Sequence, residues 1–483
     1  MDSTEELLAG AVHHDGRWDF AWALAQPHGS AIIRLLGYSF RKVLRCCTAR
    51  VTFDLASFER AVAEAPSDSL FVLAPSHRSY FDFLLMSYLC FQYPELGIPI
   101  PHIAAADDFA RIPIVGRVLK KAQAFYVRRG AGTQAPALNA ELHRLAAQGG
   151  SLMFFIEGQR SRSRHVLAPK RGLLRGLQAT GHSFVVLPIA FAYERLPEES
   201  AFADELRGGA RPRMSLRALL CWLNEVARKQ VHLGRIHITC GTTARLQSDT
   251  DIASLAKHVV AEQQRHTAVS RFHLRAFLAH AHVTSVSEDW LADAIQRRGG
   301  RVLDSELPPP CGVRSALQQS LRNQWMHWFF GDALRLFPNN YAIRHHVERR
   351  SFVERTAPDD TEDPCLRRVV EALMAPIVLD YELATRHLGA PGGLLPFPSP
   401  HALVQAYPVA HLPHLEDAYR ALVEHRILCE AGPQSFVWGA AATEVDAFYR
   451  QITADFSLRS RRHSSRTNAT VQRTATQRPA AVR

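Results

Sequence analysis

Cysteine is sparse and scattered in this chain. Its eight cysteines stand at 46, 47, 90, 221, 240, 311, 365 and 429, with no CxxC pair. That spacing indicates neither a zinc ribbon nor a disulfide framework, and it fits a reducing compartment. Long apolar runs are also missing. Stretches such as Phe83–Phe91 fall short of the roughly 20 residues that a membrane-spanning helix needs, so any membrane association is expected to be peripheral. Residues 1–19 are polar and acidic and do not read as a signal peptide. No G-x-S-x-G elbow and no GxxxxGK[ST] loop occurs, which disfavours a serine hydrolase and a P-loop enzyme. There are 24 histidines, but His13-His14, His345-His346 and the His280/His282 pair lack a convincing ligand set, so no metal is expected.

Acidic residues are missing from two whole segments. Phe20–Phe53 holds Arg34, Arg41, Lys42, Arg45 and Arg50 and no acid, and Phe456–Arg483 holds seven Arg and no acid. The net charge of +11 therefore sits largely in two flanks around a nearly neutral body. An anionic partner is implied: nucleic acid, a membrane surface or a phosphorylated small molecule.

With 483 residues, 47% of them hydrophobic, two or three domains and an ordinary core are expected. Residues 31–45 read as a helix with Ile32, Leu35, Leu36, Ser39 and Val43 on one stripe, either a packing helix or one lying on a membrane surface. From residue 70, apolar runs at 70–74, 102–106, 124–127, 151–156, 184–191 and 235–240 alternate with helical patterns. That alternation predicts an α/β fold with a mixed, largely parallel sheet flanked by helices. After about 270 the strand pattern stops and a helical C-terminal region is expected. The implied organisation is an N-terminal helical, basic segment over 1–60, an α/β domain over 61–270, a helical region over 271–456 and an Arg-rich, disordered tail over 457–483.

Four stretches can carry chemistry. In APSHRSYFDFLLMSYL, residues 74–89, His77 and Asp82 stand where an apolar strand gives way to a helix. Five apart within a helix they would diverge. In a turn entering a helix they can meet, and a carboxylate on one ring nitrogen makes the other a better base. The plainer alternative is that Ser79 and Asp82 form only a capping box and His77 is incidental. In FFIEGQRSRSRH, residues 154–165, a strand runs into Glu157-Gly158 and then Arg160, Arg162 and Arg164 alternate. In extended chain these would share one side and suit a phosphate. A solvated basic loop is the alternative. AFYVRRG, residues 124–130, ends a short strand in Arg128-Arg129. VVLPIAFAYER, residues 185–195, carries Pro188 inside a strand, which points to an edge or a bulge.

Taken in order, these stretches resemble the glycerolipid acyltransferases, in the glycerol-3-phosphate and dihydroxyacetone-phosphate acyltransferase branch. SHRSYFD is similar to that branch's first motif, AFYVRR to its second, EGQRSRS to its third and VLPIAFAYE to its fourth; APKRGLL after the third is similar too. Gln159 departs from the Gly or Thr usual there. The resemblance covers roughly residues 60–270. It implies a glycerol-3-phosphate 1-O-acyltransferase of phospholipid biosynthesis, with acyl-CoA or acyl carrier protein as co-substrate and no cofactor. His77 is then the expected general base and Asp82 its orienting carboxylate. Arg160 and Arg162 are expected to hold the acceptor phosphate with Arg128 as a third contact, and Glu157 and Gly158 to shape that pocket. Backbone N–H groups at a helix start are candidate oxyanion donors. Dihydroxyacetone phosphate and lysophosphatidate are the competing acceptors. A non-catalytic membrane- or nucleic-acid-binding protein is the alternative of another class. The basic flanks imply a peripheral position on anionic lipid at the cytoplasmic face.

Overall fold

The computed structural model describes residues 4–8, 29–106, 115–127, 136–210, 216–308, 315–353, 363–388 and 397–456. Its centre is a sheet of nine strands: β1 Thr4–Glu6, β2 Arg50–Asp54, β3 Leu70–Pro75, β4 His102–Ala106, β5 Ala124–Val127, β6 Leu152–Met153, β7 Phe184–Tyr193, β8 Arg235–Cys240 and β9 Ala244–Leu246. Their order is β1-β2-β8-β7-β3-β6-β4-β5, with β9 also against β7. The run β7-β3-β6-β4-β5 is wholly parallel, whereas β8 and β9 lie antiparallel to β7. The sheet is thus mixed and largely parallel, flanked by helices. Helices cover both faces, so β7 is buried at all ten positions and reads as a continuous apolar run instead of an alternation.

The side chains of β7 still divide by period two. Val185, Leu187, Ile189 and Phe191 join Leu73 and Met153 in one core, under the helices Ala31–Cys47, Leu55–Ala63 and Phe81–Gln92. Phe184 and Val186 join Val72 and Leu152 in a second core, under Pro136–Ala147, Gly172–Gln178 and Ile252–Arg265.

Pro188 does not mark an edge. It pairs with Ala74 in the centre of the sheet. On its other side β9 pairs with 184–186 and β8 with 189–193, so the missing N–H falls where the ladder passes from one strand to the next. The Pro188 carbonyl there accepts the Gly241 N–H at 2.7 Å.

The helix Ala31–Cys47 is capped by Ser30, whose hydroxyl accepts the Ile33 N–H at 3.4 Å. It buries Ile33, Phe40, Arg41, Leu44 and Cys47. The stripe read from the sequence is therefore not the most buried face, although Ile32 and Val43 on it pack against this core. Ile32, Leu36 and Val43 are half-buried, and Leu35 is 47% exposed. Arg41 breaks the expected pattern of outward charges: it is buried, donating to Leu8 O at 2.6 Å and Tyr88 Oη at 3.0 Å.

Beyond 270 the chain is helical around a separate core, with Trp325, Phe329, Leu373 and Leu422 fully or almost fully buried. Two small sheets interrupt it, against the sequence reading. Val269–Ser270 pairs with Val302–Leu303, and Leu428–Gly432 forms a hairpin with Ser435–Trp438. Strands this short leave too little alternation to read. The expected disordered tail over 457–483 lies outside the described residues.

Candidate active site

The site lies past the carboxyl ends of β3 and β6, where ligands gather in parallel α/β sheets. After Pro75 the chain turns through 76–80 into the helix Phe81–Gln92. His77 Nδ1 lies 3.1 Å from Asp82 Oδ2. The same oxygen accepts the N–H groups of Arg78 at 2.6 Å and Ser79 at 2.8 Å. Asp82 therefore both ties the turn entering the helix and faces the imidazole; the reciprocal capping box with Ser79 is not formed, since the Ser79 hydroxyl accepts the Phe81 N–H instead. Its other oxygen accepts the Tyr193 hydroxyl at 2.6 Å.

Asp82 is fully buried. Burial pushes its carboxyl up to about 7, against the hydrogen bonds from Tyr193, Ser79 and Arg78, which favour the carboxylate. His77 stacks on Phe155, with centroids 3.6 Å apart and planes within 7°. Burial holds this imidazole well below its usual range; Glu157 opposes the effect and Arg160, Arg78 and Arg162 add to it. With Nδ1 engaged by the carboxylate, a neutral ring presents Nε2 as its basic nitrogen. The side chain remains 15% exposed.

Glu157 fastens the two loops together. One oxygen accepts the His77 N–H at 2.8 Å, the other the Leu167 N–H at 2.9 Å, and both lie 3.3 Å from Arg78 Nη1. The Ser161 N–H closes the contact by donating to His77 O at 2.8 Å. Gly158 turns the chain with φ 70, and a Cβ there would stand 2.9 Å from Lys170 Cγ.

The three arginines do not all share one side: Arg160 and Arg162 both face Phe202, and Arg164 turns away. Arg160 stacks on the Tyr80 ring and meets Glu198 Oε1 at 3.5 Å. Arg162 pairs with Glu205. Arg164 has φ 60, which breaks the extended alternation. It turns inward, donating to Tyr193 O at 2.9 Å and Gln324 Oε1 at 3.2 Å and meeting Glu199 at 3.5 Å. It therefore binds the loop to the helical region instead of presenting a phosphate contact. Asn323 adds a 2.9 Å bond to Ser163 O.

The helix start is also spent as a donor. The N–H groups of Arg78 and Ser79 go to Asp82, that of Tyr80 to Glu198 at 2.8 Å, and that of Phe81 to Ser79 Oγ at 3.0 Å. At this helix start the first backbone N–H groups are therefore engaged within the protein.

The structure thus brings together His77, Asp82, Glu157, Gly158, Arg160 and Arg162. Arg128 lies outside the described residues, just past β5. Tyr193, Glu198 and Glu205 were not singled out in the sequence. The Glu-rich stretch after β7, YERLPEESAFADE, was the available signal. Among the described residues no group of three or more His, Cys, Asp or Glu is placed to hold a metal ion.

Residues 60–192 match the acyltransferase family model. The dihydroxyacetone phosphate acyltransferase of Bos taurus is 33% identical over 228 residues, 45% of this chain and 32% of that protein. The glycerol-3-phosphate acyltransferase of Xanthomonas campestris pv. campestris is 32% identical over 274 residues, 53% of this chain and 29% of that protein. This chain thus spans about a third of the length of the curated relatives it matches. The solved 1-acyl-sn-glycerophosphate acyltransferase of Thermotoga maritima aligns at 15% identity and a TM-score of 0.30, over 47% of this chain and 74% of that one. The segment that holds both the His77–Asp82 pair and the arginine loop, residues 60–192, is an acyltransferase-family domain.

Proposed function

We propose that this protein transfers a fatty acyl group from a thioester, acyl-CoA or acyl carrier protein, to the sn-1 hydroxyl of glycerol 3-phosphate, with dihydroxyacetone phosphate as the competing acceptor. The observation that carries this reading is the His77–Asp82 pair at 3.1 Å, joined through Glu157 to the loop that carries Arg160 and Arg162. The names of relatives in both acceptor classes support it.

In this mechanism His77 Nε2 takes the proton of the acceptor hydroxyl as its oxygen attacks the thioester carbon. The tetrahedral intermediate collapses and expels the thiolate, which takes the proton back from the His77 imidazolium, and no acyl-enzyme forms. Asp82 fixes the ring and stabilises the imidazolium that forms. Arg160 and Arg162 bind the acceptor's phosphate through forked, charge-assisted hydrogen bonds.

The outward face of Ala31–Cys47 supports a peripheral position on anionic lipid, which this reading places at the cytoplasmic face. Leu35 is 47% exposed, Ile32 and Leu36 are half-buried, and Lys42 and Arg45 are exposed beside them. Among the described residues no helix is long and apolar enough to cross a membrane.

The test is acyl transfer by the purified protein from each donor to glycerol 3-phosphate, dihydroxyacetone phosphate and lysophosphatidate in parallel. Transfer to glycerol 3-phosphate ahead of the others is expected. Transfer only to lysophosphatidate overturns the acceptor, and transfer to none overturns the reading.

A further inference from the structure

Residues 198, 202 and 205 are spaced four and three apart, which puts them on one face of the helix Glu199–Leu206 and its preceding turn. That face reads acid, aromatic, acid, and it meets the arginine loop. Glu198 Oε1 lies 3.5 Å from Arg160 Nη1, and Glu205 pairs with Arg162. Phe202 is buried between them, its centroid 5.2 Å from the Arg160 guanidinium carbon and 5.7 Å from that of Arg162. The two arginine side chains are only 10% and 11% exposed.

The two acids differ in their second task. Glu198 also accepts the Ser79 hydroxyl at 3.0 Å and the Tyr80 N–H at 2.8 Å, so it holds the turn that leads to Asp82. The helix itself is pinned from behind, where Glu199 meets Arg195 at 2.8 Å and Arg164 at 3.5 Å. Both arginines are thus held in place by carboxylates that a phosphate resembles in charge and in hydrogen-bonding geometry.

We propose that this stripe sets the affinity and position of the acceptor: Glu205 occupies Arg162 as an internal anion that the acceptor's phosphate must displace, while Glu198 is a positioning residue that aligns Arg160 with the His77–Asp82 turn. This rests on the reading of Arg160 and Arg162 as the phosphate site. Removing the Glu205 charge removes both the competitor and its repulsion of an arriving phosphate. Removing the Glu198 charge loosens Arg160 and the base together.

The test is steady-state kinetics and inorganic-phosphate binding on the full chain for Glu205→Gln, Glu205→Asp, Glu198→Gln and Arg162→Ala, each with an unchanged melting profile. Glu205→Gln should lower the acceptor KM and the phosphate Kd together, by roughly threefold to tenfold, the weight of one partly buried ion pair. Glu205→Asp should stay near the parent, and Glu198→Gln should chiefly lower kcat. In the Arg162→Ala background Glu205→Gln should lower the acceptor KM by much less than in the parent, because only the repulsion is left to remove. An acceptor KM that rises or stays constant in Glu205→Gln, while Arg162→Ala raises it, overturns the competition alone. If Arg162→Ala also leaves the acceptor KM untouched, the phosphate-site reading and this proposal fall together.

Discussion

The Tyr193 hydroxyl, at the end of β7, donates a 2.6 Å hydrogen bond to the one oxygen of Asp82 that His77 leaves free. The tyrosine of the fourth strand-borne motif thereby reaches the carboxylate of the first. The bond favours the charged form of Asp82, which burial pushes up to about 7. The reactive pair, carboxylate with neutral imidazole, is lost as pH falls through that value, since burial and nearby arginines oppose a charged ring. The kcat/KM profile should therefore show an acid limb near 7. Tyr193→Phe removes a bond that lowers the Asp82 pKa, so the limb should move to higher pH, by roughly one unit. A limb that stays in place or moves down would separate Tyr193 from the pair.

Glu157 and Arg78 form an ion pair with both side chains almost wholly inaccessible. Glu157→Gln leaves the Arg78 guanidinium buried without its counter-charge. Such broken pairs cost about 3–5 kcal/mol. Denaturant unfolding should show a loss of that order, and activity should fall with it. A variant as stable as the parent would show that the pair is not fully desolvated.

Four buried histidines meet where the arginine loop touches the helical region. The ring centroids of His165 and His346 are 5.2 Å apart, of His346 and His414 5.4 Å, and of His411 and His414 4.5 Å. Asp380 contacts His414 Nδ1 at 3.0 Å, and the charges of Arg322 and Arg350 also act on the cluster. Burial holds all four rings below their usual range, His411 down to about 3. The unfolded chain binds protons at these sites near pH 6.5 and the folded chain does not, so stability falls as pH drops below about 6.5, by up to about 1.4 kcal/mol per pH unit per histidine. Unfolding midpoints measured between pH 7.5 and 5.5 should fall steeply, and His346→Phe with His411→Phe should flatten the slope. An equal slope in parent and variant would remove the cluster as its source.

The exposed Leu35 and the basic residues Lys42 and Arg45 beside it make a lipid prediction. Sedimentation with anionic vesicles should weaken as salt rises and weaken further in Leu35→Glu. Binding indifferent to both would separate this helix from the membrane.

Much of this was legible in the sequence. The strands β3, β4, β5, β7 and β8 stand close to where the apolar runs put them, and β3 and β7 most plainly, because a buried strand covered by helices is apolar on both faces. The meeting of His77 with Asp82 was legible because a strand-to-helix turn is a local event. What was not legible depends on distant chain. Arg160 and Arg162 looked like free cations, yet Glu198 and Glu205, some 40 residues on, neutralise them. Arg164 looked equivalent to both until its φ of 60 turned it inward. Which face of Ala31–Cys47 is buried was left open in the sequence because the helix carries apolar residues on two sides, and only packing chooses between them.

The account rests on His77 as the base for acyl transfer to a phosphate-bearing acceptor. The most direct measurement is the rate of transfer from acyl-CoA to glycerol 3-phosphate by purified His77→Ala, shown to be folded by its melting profile. General-base help is worth about 10²–10⁴-fold, so the variant should lose at least about a hundredfold in kcat; transfer at the parent rate would contradict the account.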